Sequence, residues 1–452
     1  MGTTMSGDPV AMNGASASRT LTCDVAVVGG GPAGIAAATR AAESGARVFV
    51  IDQGLAPGGQ IWRHLDRDHL PPLARQWIAR CERSGARWLG GATVVDGTMH
   101  ADAPGRVDDA PQHELAIVQH GHSFTVRARS IVLATGARER FLPYPGWTLP
   151  NVMGVGGAQA LLKGGADVRG RRVVIAGSGP LVLPVAAAMA RAGATLVAVA
   201  EQAPRRRVVG FGATLWAHPS KLVDAMRYRA AFVGTSYRIG TWVARASGEG
   251  RVEHVTLTDG RRRWREACDL LCCSFGLVPN TEFPRVLGCT VENGVVVGDR
   301  LQRTNIANVY CAGEPTGIGG ELAALTEGEI AGLAASGHEA AAGSGPLQRA
   351  RDDWRRFSER LAHAFEPRDE LRGLVEPDTI VCRCEDVRRN RLDPSWTVRQ
   401  AKLYTRIGMG PCQGAVCGPA CQFLFGWEMG TVRPPCGAPT VGAWTETEAD
   451  HV

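Results

Sequence analysis

Long hydrophobic runs are missing from this sequence: no window of some 18 apolar residues occurs, which excludes a membrane-spanning helix. Aromatic residues are scarce at 6%, whereas glycine supplies 57 of the 452 residues. That balance suits the tight strand-to-helix turns of an α/β protein better than an all-β one. There is no concentrated basic face. The net charge is only +6, and the arginines are spread along the chain, in loops such as Arg205–Arg207 and Arg261–Arg263. This argues against nucleic acid as a partner. The first twenty residues lack the charged-then-apolar pattern of an export signal and read as a disordered tail. The chain is therefore expected in the cytoplasm, with disulfides not the main use of its 13 cysteines. No Ser/His/Asp grouping and no pair of catalytic carboxylates stands in a supporting context. The length points to two to four domains, and 44% hydrophobic residues provide large cores.

What is present begins with a short apolar strand, Cys23–Val28, followed at once by a glycine-rich turn, a helix and a second strand, VFVID. Gly29, Gly31 and Gly34 fall at G-x-G-x-x-G spacing. The first permits the tight turn, the second lets the backbone approach a pyrophosphate, and the third allows close packing of helix on strand. The helix then offers free N–H groups and its positive dipole end to the phosphates. Asp52 ends the second strand about twenty residues on, where a carboxylate takes ribose hydroxyls.

Two later segments specify the dinucleotide. SIVLATGAR (Ser130–Arg138) is a strand ending in Ala134-Thr135-Gly136, and Thr304–Gly332 reads as a strand, a turn at Gly313-Glu314 and a helix. With PGGQIWR (Pro57–Arg63), they resemble the two-dinucleotide-fold flavoprotein family, the glutathione- and thioredoxin-reductase-like enzymes. The resemblance implies FAD, with Gln60 near the isoalloxazine ring, Thr135 and Gly136 at the cofactor, and Glu314 on the ribityl chain. The family usually has Asp at that last position. The helix after Glu314 would point at the flavin.

The strand–turn–helix–strand pattern repeats in Arg171–Gln202, nesting a second dinucleotide fold inside the first. In the family that this resembles, the second domain holds NAD(P)H. Gly177 and Gly179 are present, but Val182 stands at the third position, where its side chain is expected to push the helix from the strand. Glu201 favours a ribose with a free hydroxyl, hence NAD, while the nearby Arg205–Arg207 argue for a phosphate. Two readings stand: a working site for NAD or another adenine nucleotide, or a retained scaffold. SFGLVPN (Ser274–Asn280) resembles the return strand of the family. Its neighbours Cys272 and Cys273 are expected on opposite faces of a strand as buried small hydrophobes. No cysteine pair lies where disulfide reductases keep their redox dithiol, so disulfide reduction is disfavoured.

A linker of small residues, Ala340–Gln348, precedes a predicted amphipathic helix carrying Trp354, Phe357, Leu361 and Phe365 at helical spacing. Beyond it, Cys382 and Cys384 form Cys-x-Cys, and Cys412 and Cys417 form Cys-x-x-x-x-Cys. Four sulfurs point to zinc or iron–sulfur, with bare thiols as the third reading. The one-residue gap leans away from zinc. The segment resembles the bacterioferritin-associated-ferredoxin-like [2Fe–2S] domain, closest to the version fused to the α subunits of opine oxidases, hydroxyproline dehydrogenases and hydrogen cyanide synthase. That implies Cys382, Cys384, Cys412 and Cys417 as ligands, with Cys421 an alternative to Cys417.

The expected architecture is α/β: two nested Rossmann-like dinucleotide-binding domains plus a small, mainly α C-terminal [2Fe–2S] domain. The expected boundaries are a tail at 1–20, the FAD domain at 21–140 and 270–340, the second fold at 141–269, linker and helix at 341–377, and the cluster domain at 378–452. The whole-chain resemblance implies an electron-transfer component working beside a flavin-bearing β subunit of the glycine/D-amino-acid-oxidase fold, with room for a small third subunit. The alternative is a self-sufficient NADH-dependent reductase.

Overall fold

The structure, a computed structural model, describes residues 20–64, 68, 70–100, 113–428 and 432–437. Apart from Thr20, the expected tail lies outside these residues, as does the end of the C-terminal domain beyond 437.

Strand β1 (Thr20–Val28) pairs in parallel with β2 (Val48–Asp52) on one side and with His122–Leu133 on the other, and helix α1 (Pro32–Glu43) makes the crossover. Arg87–Gly90 and Val309–Cys311 add parallel strands, while His113–Gln119 and Ala92–Met99 add antiparallel ones, completing a seven-stranded sheet. Alternate residues of β1 feed two cores. Val25 and Val27 pack with α1 and the helix Glu321–Ala335, while Ala26 and Val28 pack with Phe49, Ile51 and Leu133. Covering both faces explains why the strand reads as a continuous apolar run. The helix Glu321–Ala335 approaches α1 so closely that a Cβ on Gly328 or Gly332 would overlap the carbonyl of Ala33 or Ala37.

A second, wholly parallel sheet centres on Arg172–Gly177, flanked by Thr195–Glu201 and Leu270–Ser274, with Tyr237–Ile239 and Val152–Met153 at its edges. The expected boundary at 269/270 is thereby corrected. Leu270–Ser274 hydrogen-bonds to Arg172–Gly177, so the second fold runs to Ser274 before the chain returns. The return strand Leu277–Pro279 pairs with the outgoing strand Ala137–Glu139. Cys272 and Cys273 do face opposite cores, one with Val173 and Val185, the other with Tyr144 and Leu271.

The amphipathic helix forms over Gly345–Ala364 with Phe357 buried against its neighbours. It stops one residue short of Phe365, which belongs to its cap and not to its apolar face. Pro367 disfavours helical geometry at Glu366 and so ends the run. Beyond it, Ile380–Cys382 pairs with Val387–Arg388, and the helices Val398–Thr405 and Cys417–Phe425 close a small core that includes Cys382, Cys417, Cys421 and Trp427. Thr397 and Gln400 start the first of these helices with a reciprocal capping box.

Candidate functional site

In the first fold, Gly29 turns at φ +106° beneath the carbonyl of Ala134, and a Cβ on Gly34 would overlap the carbonyl of Gly29. A Cβ on Gly31, by contrast, would meet nothing within 4 Å. The middle glycine thus faces open space directly before α1, whose first N–H groups have no intrahelical partner. Asp52 accepts hydrogen bonds from the N–H of Gly30 and of Gly54, both at 2.6 Å, and burial raises its carboxyl above the ordinary range. The loop Pro57–Arg63 lies on this turn: Gly58 N–H donates to Gly30 O at 2.8 Å. Gln60 is exposed, whereas Trp62 is buried and donates from its indole to Glu321 at the start of the helix Glu321–Ala335.

Thr135 and Gly136 are knitted to the return strand. Thr135 Oγ1 donates to Asn280 O at 2.6 Å, Asn280 Nδ2 donates to Thr135 O at 2.9 Å, and Asn280 N–H donates to Gly136 O. Gly313 turns at φ +80°, and Glu314 follows it half-buried. Its Oε1 accepts from Gly320 N–H at 3.0 Å, while Oε2 is buried without a partner. Burial and the adjacent Glu327 carboxylate push Glu314 up to about 7. Glu327, which the sequence did not single out, accepts from Gly313 N–H at 2.9 Å and from Thr316 Oγ1 at 2.6 Å. An open glycine turn, an acid at the end of β2 and an unpaired buried carboxyl oxygen fit the pyrophosphate, ribose and polar chain of FAD.

The second fold differs. Gly177 (φ +144°) packs against the carbonyl of Ser274, and Gly179 turns at φ +95°. Where α1 starts directly after Gly31, the corresponding helix starts only at Val182. Its opening bonds are long: Val182 N–H to Gly179 O is 3.2 Å and Val185 N–H to Leu181 O is 3.4 Å, against 2.9 Å from Ile35 to Gly31. Val182 itself is 1% exposed and lies in one core with Val173, Ile175 and Val199. Glu201 is sealed at 1% exposure, accepts from the N–H of Gly179 (2.9 Å) and Ala203 (2.8 Å), and is pushed up to about 7 by burial.

The four expected cysteine ligands stand as two pairs. Cys384 and Cys412 bring their sulfurs to 3.5 Å, and Cys382 accepts a hydrogen bond from Cys417. That bond, helped by backbone N–H groups of Gly408, Glu385 and Cys384 and opposed by burial, lowers Cys382 to about 5, while Cys417 is raised. Each pair takes one member from Cys-x-Cys and one from Cys-x-x-x-x-Cys. No three metal-ligating side chains converge into a single group among the described residues. Cys421 is fully buried in the same core, its thiol pushed up to about 12 by burial. A Cβ on Gly410 would stand 2.5 Å from Cys384 Cβ, so only glycine lets the backbone pass there. An all-sulfur donor set with nearby N–H groups suits a sulfur-held metal group.

Arg138 joins the two regions. Its guanidinium donates to Ala415 O (3.0 Å), Asn280 Oδ1 (2.8 Å) and Glu282 Oε1 (2.7 Å). Arg138, Trp62 and Glu327 were the residues that motif reading left without roles. All three lie inside quoted segments, Glu327 in the helix that follows Glu314.

The family model for pyridine nucleotide-disulphide oxidoreductases matches residues 23–332. An opine oxidase subunit of Rhizobium meliloti (strain 1021) is 31% identical over 93% of this chain and 97% of its own length. Hydrogen cyanide synthase subunit HcnB of Pseudomonas aeruginosa is 29% identical over 88% of this chain and 91% of its own length. Among solved structures, L-proline dehydrogenase from P. horikoshii superposes with a TM-score of 0.65 at 19% identity, covering 94% of this chain and 79% of that one. This last likeness shows the fold.

Proposed function

Because this chain belongs to the pyridine nucleotide-disulphide oxidoreductase family, and within it is a relative of an opine oxidase subunit, we propose that it is an electron-relay subunit. Its complex would be a heteromeric dehydrogenase or oxidase acting on C–N bonds of amino acids, imino acids or opines. The family is one of FAD-dependent oxidoreductases, and the named relatives are subunits of larger enzymes. The observation that carries the relay reading is the bond from Arg138 to Ala415, which fastens the cysteine loop to the strand following Thr135-Gly136.

In this reading the first fold holds FAD. Gly29, Gly31 and Gly34 with the start of α1 bind the pyrophosphate, and Asp52 lies at the ribose. Glu314, neutral for part of its population near pH 7, is able to donate a hydrogen bond from Oε2. Trp62 and Glu321 pin the Pro57–Arg63 loop, which carries Gln60, to the helix after Glu314. Cys382, Cys384, Cys412 and Cys417 would hold a [2Fe–2S] cluster. FAD supplies two-electron and one-electron chemistry, and such a cluster supplies one-electron chemistry. A relay needs cofactors held within reach of each other and no general base of its own, consistent with the lack of a catalytic grouping in the sequence.

Substrate oxidation then falls to a partner, proposed to be a flavin-bearing β subunit of the glycine/D-amino-acid-oxidase fold, with room for a small third subunit. The helices Arg205–Thr214 and Pro219–Ala230 and the turn Leu215–Ala217 between them bury none of their residues and leave Val209, Trp216, Val223 and Met226 at 60–78% exposure. An uncovered apolar face of this kind suits a contact with a partner chain. No helix among the described residues is long and apolar enough to cross a membrane, and we place the complex in the cytoplasm. The second reading, a self-sufficient NADH-dependent reductase, needs an open second seat. The late helix start at Val182 and the sealed Glu201 count against it. The test is purification of the native complex with assay of substrate-driven flavin reduction. Reduction that depends on a partner is expected, and full amine dehydrogenase activity in the lone chain overturns the reading.

A further inference from the structure

The second glycine turn is not open like the first. A Cβ on Gly179 would meet Phe365 Cβ at 3.9 Å, where a Cβ on Gly31 meets nothing. The middle glycine of such a turn exists so that a pyrophosphate can come close. Here a phenylalanine of the chain itself has come close instead.

From Phe365 to Arg368, polar groups along the segment are matched to the second fold. Ser178 Oγ donates to Phe365 O at 2.6 Å. Gln202 Nε2 donates to Ser178 Oγ at 2.8 Å and to Glu366 O at 3.1 Å. Arg368 N–H returns a bond to Gln202 Oε1 at 3.1 Å, and its guanidinium lies 4.1 Å from the ring centre of Trp242. The Phe365 ring meets Phe211 edge-on at 5.3 Å, and Arg207 reaches His363 O. Ser178 sits between the two glycines and Gln202 directly after Glu201, the positions that flank a bound nucleotide. They are 3% and 0% exposed. Arg207, one of the cations that suggested a phosphate site, is also engaged here.

We propose that Phe365–Arg368 is the resident ligand of the second seat, a strap of the chain that occupies the place of a nicotinamide dinucleotide. The strap also fixes the route into the cysteine domain. Just beyond it, Leu371 enters the core of the second fold beside Trp242 and Leu257, where Ala420 of the cysteine domain packs too. This inference is independent of the relay reading. It concerns what fills the second fold, whatever partner the complex has.

The test combines two measurements on the full-length, flavin-loaded chain. Calorimetric titration with NADH and with NADPH is expected to show no saturable binding at millimolar nucleotide. Hydrogen exchange is expected to find the Arg368 amide protected in the unmodified chain. Gln202→Ala, and separately Ser178→Ala, should speed exchange across 365–368 by roughly tenfold or more, with retained flavin absorbance as the check on folding. Micromolar binding of either nucleotide overturns the proposal. So does fast exchange at Arg368 in the unmodified chain, or exchange that neither variant alters.

Discussion

Arg138 Nε donates to the carbonyl oxygen of Ala415 at 3.0 Å, across 277 positions of sequence. The same guanidinium holds Glu282 and Asn280, on the segment by which the chain returns to the first fold. One side chain therefore ties together the strand after Thr135-Gly136, the return from the second fold, and the loop between Cys412 and Cys417. If electrons pass between a flavin and a cysteine-held cluster, this is one of the contacts that keep their distance constant, the bond from Trp147 Nε1 to Ile380 O at 2.7 Å being another.

Arg138→Ala should retain flavin while loosening the cysteine loop. Hydrogen bonds involving charged groups contribute about 1.5–3 kcal/mol each when partly buried, and with solvent exposure of this pair a loss of about 2 kcal/mol is expected. Denaturant unfolding measures the stability. Electron transfer from partner to acceptor in the assembled complex should fall about tenfold; an unchanged rate would show that the tie is only structural.

Glu314 carries the cofactor prediction for the first fold. Its Oε2 is buried without a partner, an arrangement that costs about 1–3 kcal/mol unless a ligand completes it. Glu314→Ala should weaken FAD retention by roughly ten- to a hundredfold, and Glu314→Gln less. Flavin released on ultrafiltration reads both. Equal retention in Glu314→Ala removes this residue from the cofactor site.

Glu201 gives a pH dependence. Its carboxyl, raised from 4.5 to about 7 by burial, stays protonated in the folded chain while the unfolded chain ionises. Between those values the folded state binds more protons, so its stabilising effect is complete below about 4.5 and is lost as pH rises to about 7. The slope is at most about 1.4 kcal/mol per pH unit. Glu201→Gln should flatten it in urea unfolding at pH 5 and pH 7. Glu314, raised similarly, contributes to both proteins and cancels in the comparison.

The cysteines divide by pairing. Cys384→Ser and Cys412→Ser should each abolish iron and acid-labile sulfide in the purified chain, as should Cys382→Ser and Cys417→Ser. Cys421→Ser should leave both in place, because Cys417 is the one hydrogen-bonded to Cys382. Loss of iron with Cys421→Ser alone would exchange the fourth ligand.

The first seat was legible because glycine spacing, strand and terminal acid are local features. Long-range features were not legible. The strand Leu270–Ser274 is as apolar as any neighbour, and nothing in its residues says which sheet it joins. Nothing local to Gly328 and Gly332 says that α1 packs against them. Phe365 continued the apolar spacing of its helix, and the influence of Pro367 two residues later was needed to take it out. Trp62, Arg138 and Glu327 draw their roles from partners at Glu321, Ala415 and Gly313, and only folding brings those together.

The most direct measurement is an absorption spectrum of the purified chain before and after anaerobic addition of NADH. A relay subunit should show flavin bands with an iron–sulfur shoulder, neither bleached by NADH. Prompt bleaching would contradict it and establish the second fold as a working NADH site.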